Sequence, residues 1–114
     1  MAQGLGRNER IRRRFEFQRV YEHGARVRGR FMTLVFLPND LPLARLGIAA
    51  SRKLGDAVRR NRAKRLVREL FRRNSRVHGY DMVVIPRTEL LDAEFATLEA
   101  DYRAGLRRRS RNLS

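Results

Sequence analysis

The sequence predicts an α+β domain, a two-layer sandwich with the element order α-β-β-α-β-α. Three observations favour this class. Residues 57–74 lack proline and glycine and place apolar residues at helical spacing. Residues 26–37 and 45–53 alternate with a period of two, as half-buried strands do. The 114 residues are 42% hydrophobic and contain no internal repeat or linker, so they suit a single core.

The first predicted helix spans residues 11–23, and Gly24 is expected to end it in a left-handed conformation. Phe17 and Tyr21 share one face of this helix, whereas Phe15 points elsewhere. The two aromatic residues are either core residues or, on a basic protein, platforms on which bases stack. Residues 1–10 are polar and predict a flexible N-terminal arm.

Two strands are predicted next, residues 26–37 and 45–53, antiparallel to each other and separated by a proline-containing turn. The second strand has small residues on one face: Gly47, Ala49 and Ser51. Small side chains indicate that something lies close to that face. It is either another helix or an extended ligand for which these residues form the floor of a groove.

The central prediction is a basic helix that begins after Asp56, which caps it, and ends at Asn74. One stripe of this helix is apolar and contains Ala63, Leu66, Val67, Leu70 and Phe71. The opposite row contains Asn61, Arg65, Arg68 and Arg72, with Arg62 and Lys64 at its edges. Glu69 is the only acid in the helix, so pairing between charges one turn apart does not explain the row. Because like charges repel, the pattern favours contact with a polyanion over a merely solvated face.

The whole chain supports this interpretation, since its net charge is +15 and its pI is about 11.8. Of 27 cations only Lys53 and Lys64 are lysines. Arginine binds phosphate and stacks on bases, which suits RNA, but a GC-rich genome produces the same bias. A membrane surface is another anionic partner, although the apolar stripe is better used in a core.

The C-terminal third predicts a central strand at residues 82–85 and a helix over residues 90–107, capped by Thr88. Five of the twelve acids lie in or just before this helix, so its first half is an acidic counterweight: Glu89, Asp92, Glu94, Glu99 and Asp101. We expect one domain at residues 11–109, followed by a short tail at residues 110–114.

The chain offers little for catalysis of its own. It has no cysteine and only two histidines, His23 and His78, and it lacks metal-ligand and phosphate-loop motifs. No catalytic residue and no metal ligand is assigned. No apolar run approaches 18 residues and no signal peptide is evident, so a soluble, cytoplasmic binding protein is expected.

Residues 51–69 resemble the signature of the bacterial ribonuclease P protein subunit, Lys-x-Gly-x-Ala-Val-x-Arg-Asn-x-x-Lys-Arg-x-x-Arg. Its positions are filled by Lys53, Gly55, Ala57, Val58, Arg60, Asn61, Lys64, Arg65 and Arg68. Residues 17–24 resemble the first helix of that family, and residues 83–87 resemble its third strand and the arginine that follows. The resemblance can be followed from residue 7 to about residue 109.

This resemblance implies a two-component enzyme. A catalytic RNA, which holds most of the Mg²⁺, hydrolyses the phosphodiester at the 5′ end of mature tRNA within a precursor. The protein assists the RNA and binds the 5′ leader of the precursor, and no organic cofactor is implied. The implied fold is similar to the second domain of ribosomal protein S5, with a left-handed β-α-β crossover against the usual rule. The implied partners are ribonuclease P RNA and precursor tRNA, with one monomeric protein per RNA and no membrane.

The resemblance also implies two sets of site residues. The RNA-subunit face contains Arg52, Lys53, Arg59, Arg60, Asn61, Arg62, Lys64, Arg65, Arg68 and Arg72. The leader-binding set contains Phe17, Tyr21, Val35, Ser51, Lys53 and Arg87. Val35 stands where some members place a tyrosine that meets the leader, and Thr88 replaces a frequent basic residue.

Two other functions fit the composition. One is a ribosomal or RNA-chaperone protein that binds structured RNA without serving an enzyme. The other is a protein-only nuclease, which the lack of a carboxylate pair beside the basic face disfavours.

Overall fold

Within residues 7–113, a four-stranded sheet carries three α-helices. The computed structural model describes residues 7–113, with side chains for residues 8–109. In chain order the elements are α1 (Arg14–His23), β1 (Ala25–Arg28), β2 (Met32–Pro38), β3 (Arg45–Ile48), α2 (Ala57–Arg73), β4 (Tyr80–Pro86) and α3 (Phe95–Leu113). The α+β class is confirmed.

The strand order is β1-β2-β4-β3. β1 pairs antiparallel with β2, β2 pairs antiparallel with β4, and β3 pairs parallel with β4. β4 is therefore central, as predicted, and β3, α2 and β4 form a β-α-β unit. β3 runs antiparallel to β2, as expected, but β4 separates the two strands.

The predicted first strand is divided into a hairpin, β1 and β2, so the sheet has four strands and not three. Gly29 donates its amide hydrogen to the carbonyl oxygen of Met32 at 2.9 Å and starts the turn. The carboxylate of Asp101 on α3 accepts the next two amides, from Arg30 at 3.1 Å and Phe31 at 3.0 Å. A long-range contact thus bends a segment whose own alternation is continuous.

Helices cover both faces of the sheet, so a partial third layer is added to the predicted two. On one face α2 and α3 pack over a large core that includes Leu34, Phe36, Met82, Val84, Val67, Leu70, Leu98 and Tyr102. On the other face α1 covers a smaller cluster formed by Ile11, Val20, Val35 and Val83. Successive strand residues point to opposite faces, and this alternation fills both clusters from the same strands.

The ends of the elements are partly as predicted. Asp56 and Asn74 bound α2 as expected. Gly24 is extended and not left-handed, with φ −80° and ψ 157°. Its lack of a Cβ is needed instead for packing, because a Cβ there would lie 2.5 Å from the carbonyl oxygen of Val20.

The third helix also begins later than predicted. Thr88 opens a 3₁₀ turn (Thr88–Asp92), and α3 starts only at Phe95. The helix continues to Leu113, past the predicted start of the tail. At the other terminus, residues 1–6 of the predicted arm lie outside the described residues, whereas Arg10 forms a parallel bridge with Leu46 beside β3.

Candidate nucleic-acid interface

The basic helix α2 starts from a defined turn. Gly55 has a φ of +122°, a conformation that favours glycine. Asp56 then caps the helix by accepting the amide hydrogen of Arg59 at 3.0 Å. Four residues of the apolar stripe are buried: Ala63, Val67, Leu70 and Phe71. Because their burial fixes the rotation of the helix, the basic row faces outward.

The outward face of α2 presents the predicted row. Asn61, Arg62, Arg65 and Arg72 are exposed, and Lys64 and Arg68 are half-buried. Arg72 pairs with Glu69, the only acid of the helix. Burial lowers the pKa of Arg68, and the nearby positive charge of Arg10 lowers it further. Arginine still stays charged, so Arg68 is a partly desolvated cation beside a second cation, an arrangement that a bound anion would stabilise.

Arg59 and Arg60 curl back onto the turn before α2. Nε of Arg59 donates to the carbonyl oxygen of Leu54 at 2.7 Å, and Nη1 of Arg60 donates to that of Gly55 at 3.3 Å. Both residues belong to the predicted RNA-subunit face. In this structure they hold the start of the helix, and their remaining N–H groups are the ones left for a phosphate.

Four further predicted residues lie where β3 and β4 end: Ser51, Arg52, Lys53 and Arg87. The two strands are parallel, with Ile48 opposite Val84, so their carboxyl ends meet at one edge of the sheet. All four residues are exposed. The hydroxyl oxygen of Ser51 accepts the amide hydrogen of Lys53 at 3.3 Å, which shapes the 3₁₀ turn Arg52–Leu54. This edge gathers three cations and a hydroxyl group from two distant segments.

Phe17 and Tyr21 lie half-buried on α1, against the smaller core cluster. Their ring centroids are 6.4 Å apart and their planes are inclined by 47°. Gly47 lies directly under the Phe17 ring, so close that a Cβ at this position would be 2.9 Å from the nearest ring atom. Of the two explanations for the small residues, a close helix therefore accounts for Gly47. Ala49 is half-buried in the same cluster, and Ser51 is exposed at the open end.

A cleft of about 320 Å³ joins α1 to α2. Its apolar lining consists of Ile11, Phe17, Leu46 and Ile48, and its cations are Arg10, Arg12, Lys64 and Arg68. An apolar lining with a cationic rim suits an unpaired nucleic-acid strand, whose bases stack on aromatic groups while its phosphates meet the cations. The half-burial of Lys64 and Arg68 follows from their position at this cleft.

Arg26 joins the aromatic pair from the hairpin. Its guanidinium carbon lies 5.9 Å from the centroid of the Tyr21 ring, and Nη2 donates to the Tyr21 carbonyl oxygen at 3.3 Å. Burial raises the pKa of the Tyr21 hydroxyl, and the positive charge of Arg26 opposes this rise. The phenol therefore stays neutral and can stack or donate. Arg26 is absent from the predicted site, although it follows Tyr21 by only five residues.

Val35 requires a correction to the predicted leader-binding set. It is 0% exposed and packs with Ile11, Val20 and Val83 between the sheet and α1. A fully buried side chain does not touch a bound strand, so Val35 supports the aromatic pair from below. The sequence left this open because both faces of its strand are apolar.

A partly buried ion-pair network fixes α1 to the sheet. Arg45 binds Asp81 through two bonds of 2.8 Å and reaches Glu16 of α1 at 3.2 Å. Burial alone would raise the pKa of Asp81, but hydrogen bonds from Arg45 and Asn39 outweigh it and lower that pKa. Glu16 is the neighbour of Phe17, so the network sets the position of the aromatic residue at the cleft.

The described residues do not offer the donor set that Mg²⁺ prefers in proteins. Within residues 7–113, no three His, Asp or Glu side chains come together in a way that could hold a metal ion. The carboxylate oxygens of Asp81 are already used by Arg45 and Asn39. Over the same range, no helix is both long and apolar enough to span a membrane.

Comparison with known proteins identifies the family. The family model described as Ribonuclease P matches residues 5–110. The chain belongs to the ribonuclease P protein family. A Thermotoga maritima ribonuclease P protein component is 44% identical over 92 residues, which cover 79% of each chain. One from Syntrophus aciditrophicus is 39% identical over 94 residues, 81% of this chain and 79% of the relative.

Solved structures of the family share the fold. The RNase P protein from Thermotoga maritima superposes with a TM-score of 0.79 at 38% identity, covering 88% of this chain and 96% of that one. The Staphylococcus aureus RNase P protein gives a TM-score of 0.78 at 34% identity, covering 87% of this chain and 93% of that one.

In this member of the ribonuclease P protein family, the signature residues divide between two structural roles. Gly55 and Arg60 build the turn before α2, as their conformation and hydrogen bond show. The surface members are exposed or lie at the cleft: Asn61, Lys64, Arg65 and Arg68. The cations that sequence reasoning missed, Arg10, Arg12 and Arg26, alternate with buried Ile11 and Val27. This short alternation of arginine with a buried apolar residue was the sequence signal that these three arginines lie on the surface.

Proposed function

We propose that the chain, as the protein component of ribonuclease P, binds the catalytic RNA through the outward face of α2 and the 5′ leader of precursor tRNA through the cleft beside α1. One observation carries the proposal. Lys64 and Arg68 belong to the basic row of α2 and also line the cleft that contains Phe17. The two RNA sites are therefore adjacent. Adjacent sites are what the proposal requires, because the leader begins at the scissile bond, which is held by the catalytic RNA.

The charge of α2 supports contact with a folded RNA. Arg62 and Arg65 are exposed, and no carboxylate within the described residues forms an ion pair with them. Each phosphate neutralised by such a row releases condensed counterions, which makes binding strongly salt-dependent. Arginine adds bidentate geometry and stacking.

The acidic residues of the C-terminal third do not cancel this face. Glu99 pairs with Arg73 at 3.5 Å and Arg103 at 3.6 Å, at the end of α2. Asp101 is used by the hairpin amides. Glu89, Asp92 and Glu94 line a separate cleft beside Phe31. Glu99 and Asp101 thus join α3 to its neighbours, while the outward row keeps its charge.

Leader binding is proposed for Phe17 at the cleft and for Tyr21 beside it, 6.4 Å away between ring centroids, with Ser51, Lys53 and Arg87 at the strand ends. Phe17 and Tyr21 supply π-faces that accept any base, which suits leaders of varied sequence. The exposed cations at the strand ends would position the backbone and not select bases.

We assign phosphodiester hydrolysis to the RNA subunit with Mg²⁺ held mainly there. The protein contributes cations and stacking surfaces and no ligand cluster of its own within the described residues. On this proposal one monomeric protein binds one RNA, in the cytoplasm.

The test is cleavage of precursor tRNA at low Mg²⁺ by a bacterial ribonuclease P RNA, with and without the protein. The expected result is faster cleavage with the protein present, because its cations replace part of the ionic requirement. The matched control replaces Arg62, Arg65 and Arg68 together by Gln. An unchanged rate on adding the wild-type protein would overturn the proposal.

A further inference from the structure

We propose that Phe15 is a second stacking platform, which holds leader nucleotides that lie further from the cleavage site than those at Phe17. The proposal rests on leader binding at the cleft, as proposed above. Phe15 is 62% exposed, the largest apolar surface that α1 presents to solvent among the described residues. Two residues along a helix differ by about 200°, so Phe15 points away from the Phe17 side.

The surroundings of Phe15 form a cleft of about 620 Å³. Apart from Phe15 and one acid, Glu16, its lining consists of arginines: Arg10, Arg12, Arg13 and Arg45. Glu16 is already paired with Arg45 at 3.2 Å, so it does not compete for the other arginines. Within the described residues, the side chains of Arg12 and Arg13 form no ion pair.

The two clefts share two lining residues. Arg10 and Arg12 line the cleft at Phe17 and also the cleft at Phe15. A strand that leaves Phe17 past these two guanidinium groups therefore arrives at Phe15 with its phosphates still next to cations. The charge of this path selects a polyanion, and the aromatic ring at its end selects an unpaired base.

Phe15 is also held in position. The carboxylate of Glu16 accepts the amide hydrogens of Arg12 at 3.4 Å and Arg13 at 3.3 Å, which fixes the first turn of α1. Ile11, which precedes this turn, is buried and donates its amide hydrogen to the carbonyl oxygen of Leu46 at 2.9 Å. A single exposed apolar residue is normal on a surface. An exposed ring on a fixed turn, at the end of a cationic path, has the properties of a stacking site.

The experiment measures the affinity of the reconstituted holoenzyme for precursor tRNAs whose leaders are shortened one nucleotide at a time. The variants are Phe15→Leu, which keeps apolar bulk without an aromatic face, and Phe15→Tyr, which keeps the face. Leu41→Ala, which alters an exposed apolar residue outside both clefts, is the control. Phe15→Leu is expected to weaken binding of long-leader precursors roughly tenfold, while Phe15→Tyr and the control leave it unchanged.

The leader series separates the possible failures. Loss that is confined to long leaders supports the proposal. Equal loss for every leader length and for mature tRNA would place Phe15 against the RNA subunit and overturn it, and so would no loss at all. If neither leader length nor Phe17→Ala changes affinity, leader binding at the cleft is itself wrong. If both matter and Phe15→Leu does not, only the second platform is wrong.

Discussion

The outward face of α2 and the cleft beside α1 both present cations, but they are built in different ways. The face comes from one helix, whose buried stripe fixes the direction of the exposed row. The cleft is assembled from three segments of the chain: residues 10–17, 46–48 and 64–68. A surface built by one helix tolerates change around it, whereas an assembled cleft depends on the contacts that dock its parts.

The same contrast holds for the chemistry of the two regions. On α2 the arginines are exposed, so their contribution to RNA binding should be electrostatic and sensitive to salt. At the cleft the Phe17 ring lies over Gly47, and Phe17 and Tyr21 are both half-buried against the smaller core cluster. Their contribution should come from stacking and shape, with a weaker dependence on salt. The predictions below test this difference, from the largest expected effect to the smallest.

Asp81→Ala should destroy the cleft while sparing the α2 face. Asp81 is 1% exposed. Its loss removes two hydrogen bonds from the Arg45 guanidinium, which then keeps only its contact with Glu16 among these ion pairs. We expect the free energy of unfolding to fall by about 3 kcal/mol, as for other broken buried pairs, measured by urea denaturation. Leader-dependent affinity should fall with it. Asp92→Ala, an exposed control, should change stability by no more than about 0.5 kcal/mol.

The same substitution should also change how the free energy of unfolding depends on pH. Because the folded pKa of Asp81 is lowered, its contribution to stability is complete above its unfolded pKa of about 3.9 and is lost as the pH falls through the folded value. Wild-type stability should therefore decline more steeply below about pH 4 than that of Asp81→Ala. Parallel stability curves over this range would contradict the role given to the pair.

Replacing Arg65 and Arg68 by Ala should weaken binding to ribonuclease P RNA. The slope of log affinity against log salt should flatten by about 0.7–0.9 for each phosphate contact that is lost. The control replaces Arg103 and Arg107 of α3 by Ala, which lowers the net charge of +15 by the same amount. An equal flattening in the control would mean that overall charge, and not the face of α2, governs binding.

Phe17→Ala should act on the leader alone. Loss of one stacked base is worth about 1–3 kcal/mol, so affinity for precursor tRNA should fall while affinity for mature tRNA is kept. Phe17→Tyr is the matched control, and urea denaturation of both variants separates stacking from the packing of the ring over Gly47. Equal losses for precursor and mature tRNA would return Phe17 to a purely structural role.

Much of this protein was determined by the sequence alone. The limits of α2, its buried stripe and its basic row follow from Asp56, Asn74 and a helical period, all of which are local. The central position of β4 follows from its continuous apolar run. The family follows from the signature around Asn61, and the match over residues 5–110 agrees with it.

Only the tertiary structure decided the remainder. The break between β1 and β2 depends on Asp101, some 70 residues away. Val35 is buried because α1 crosses its strand face, which a strand apolar on both sides does not reveal. Helical period and capping are read from neighbours in the chain, whereas a cleft depends on which distant segments pack together. That choice is made by the core and the ion pairs that join them.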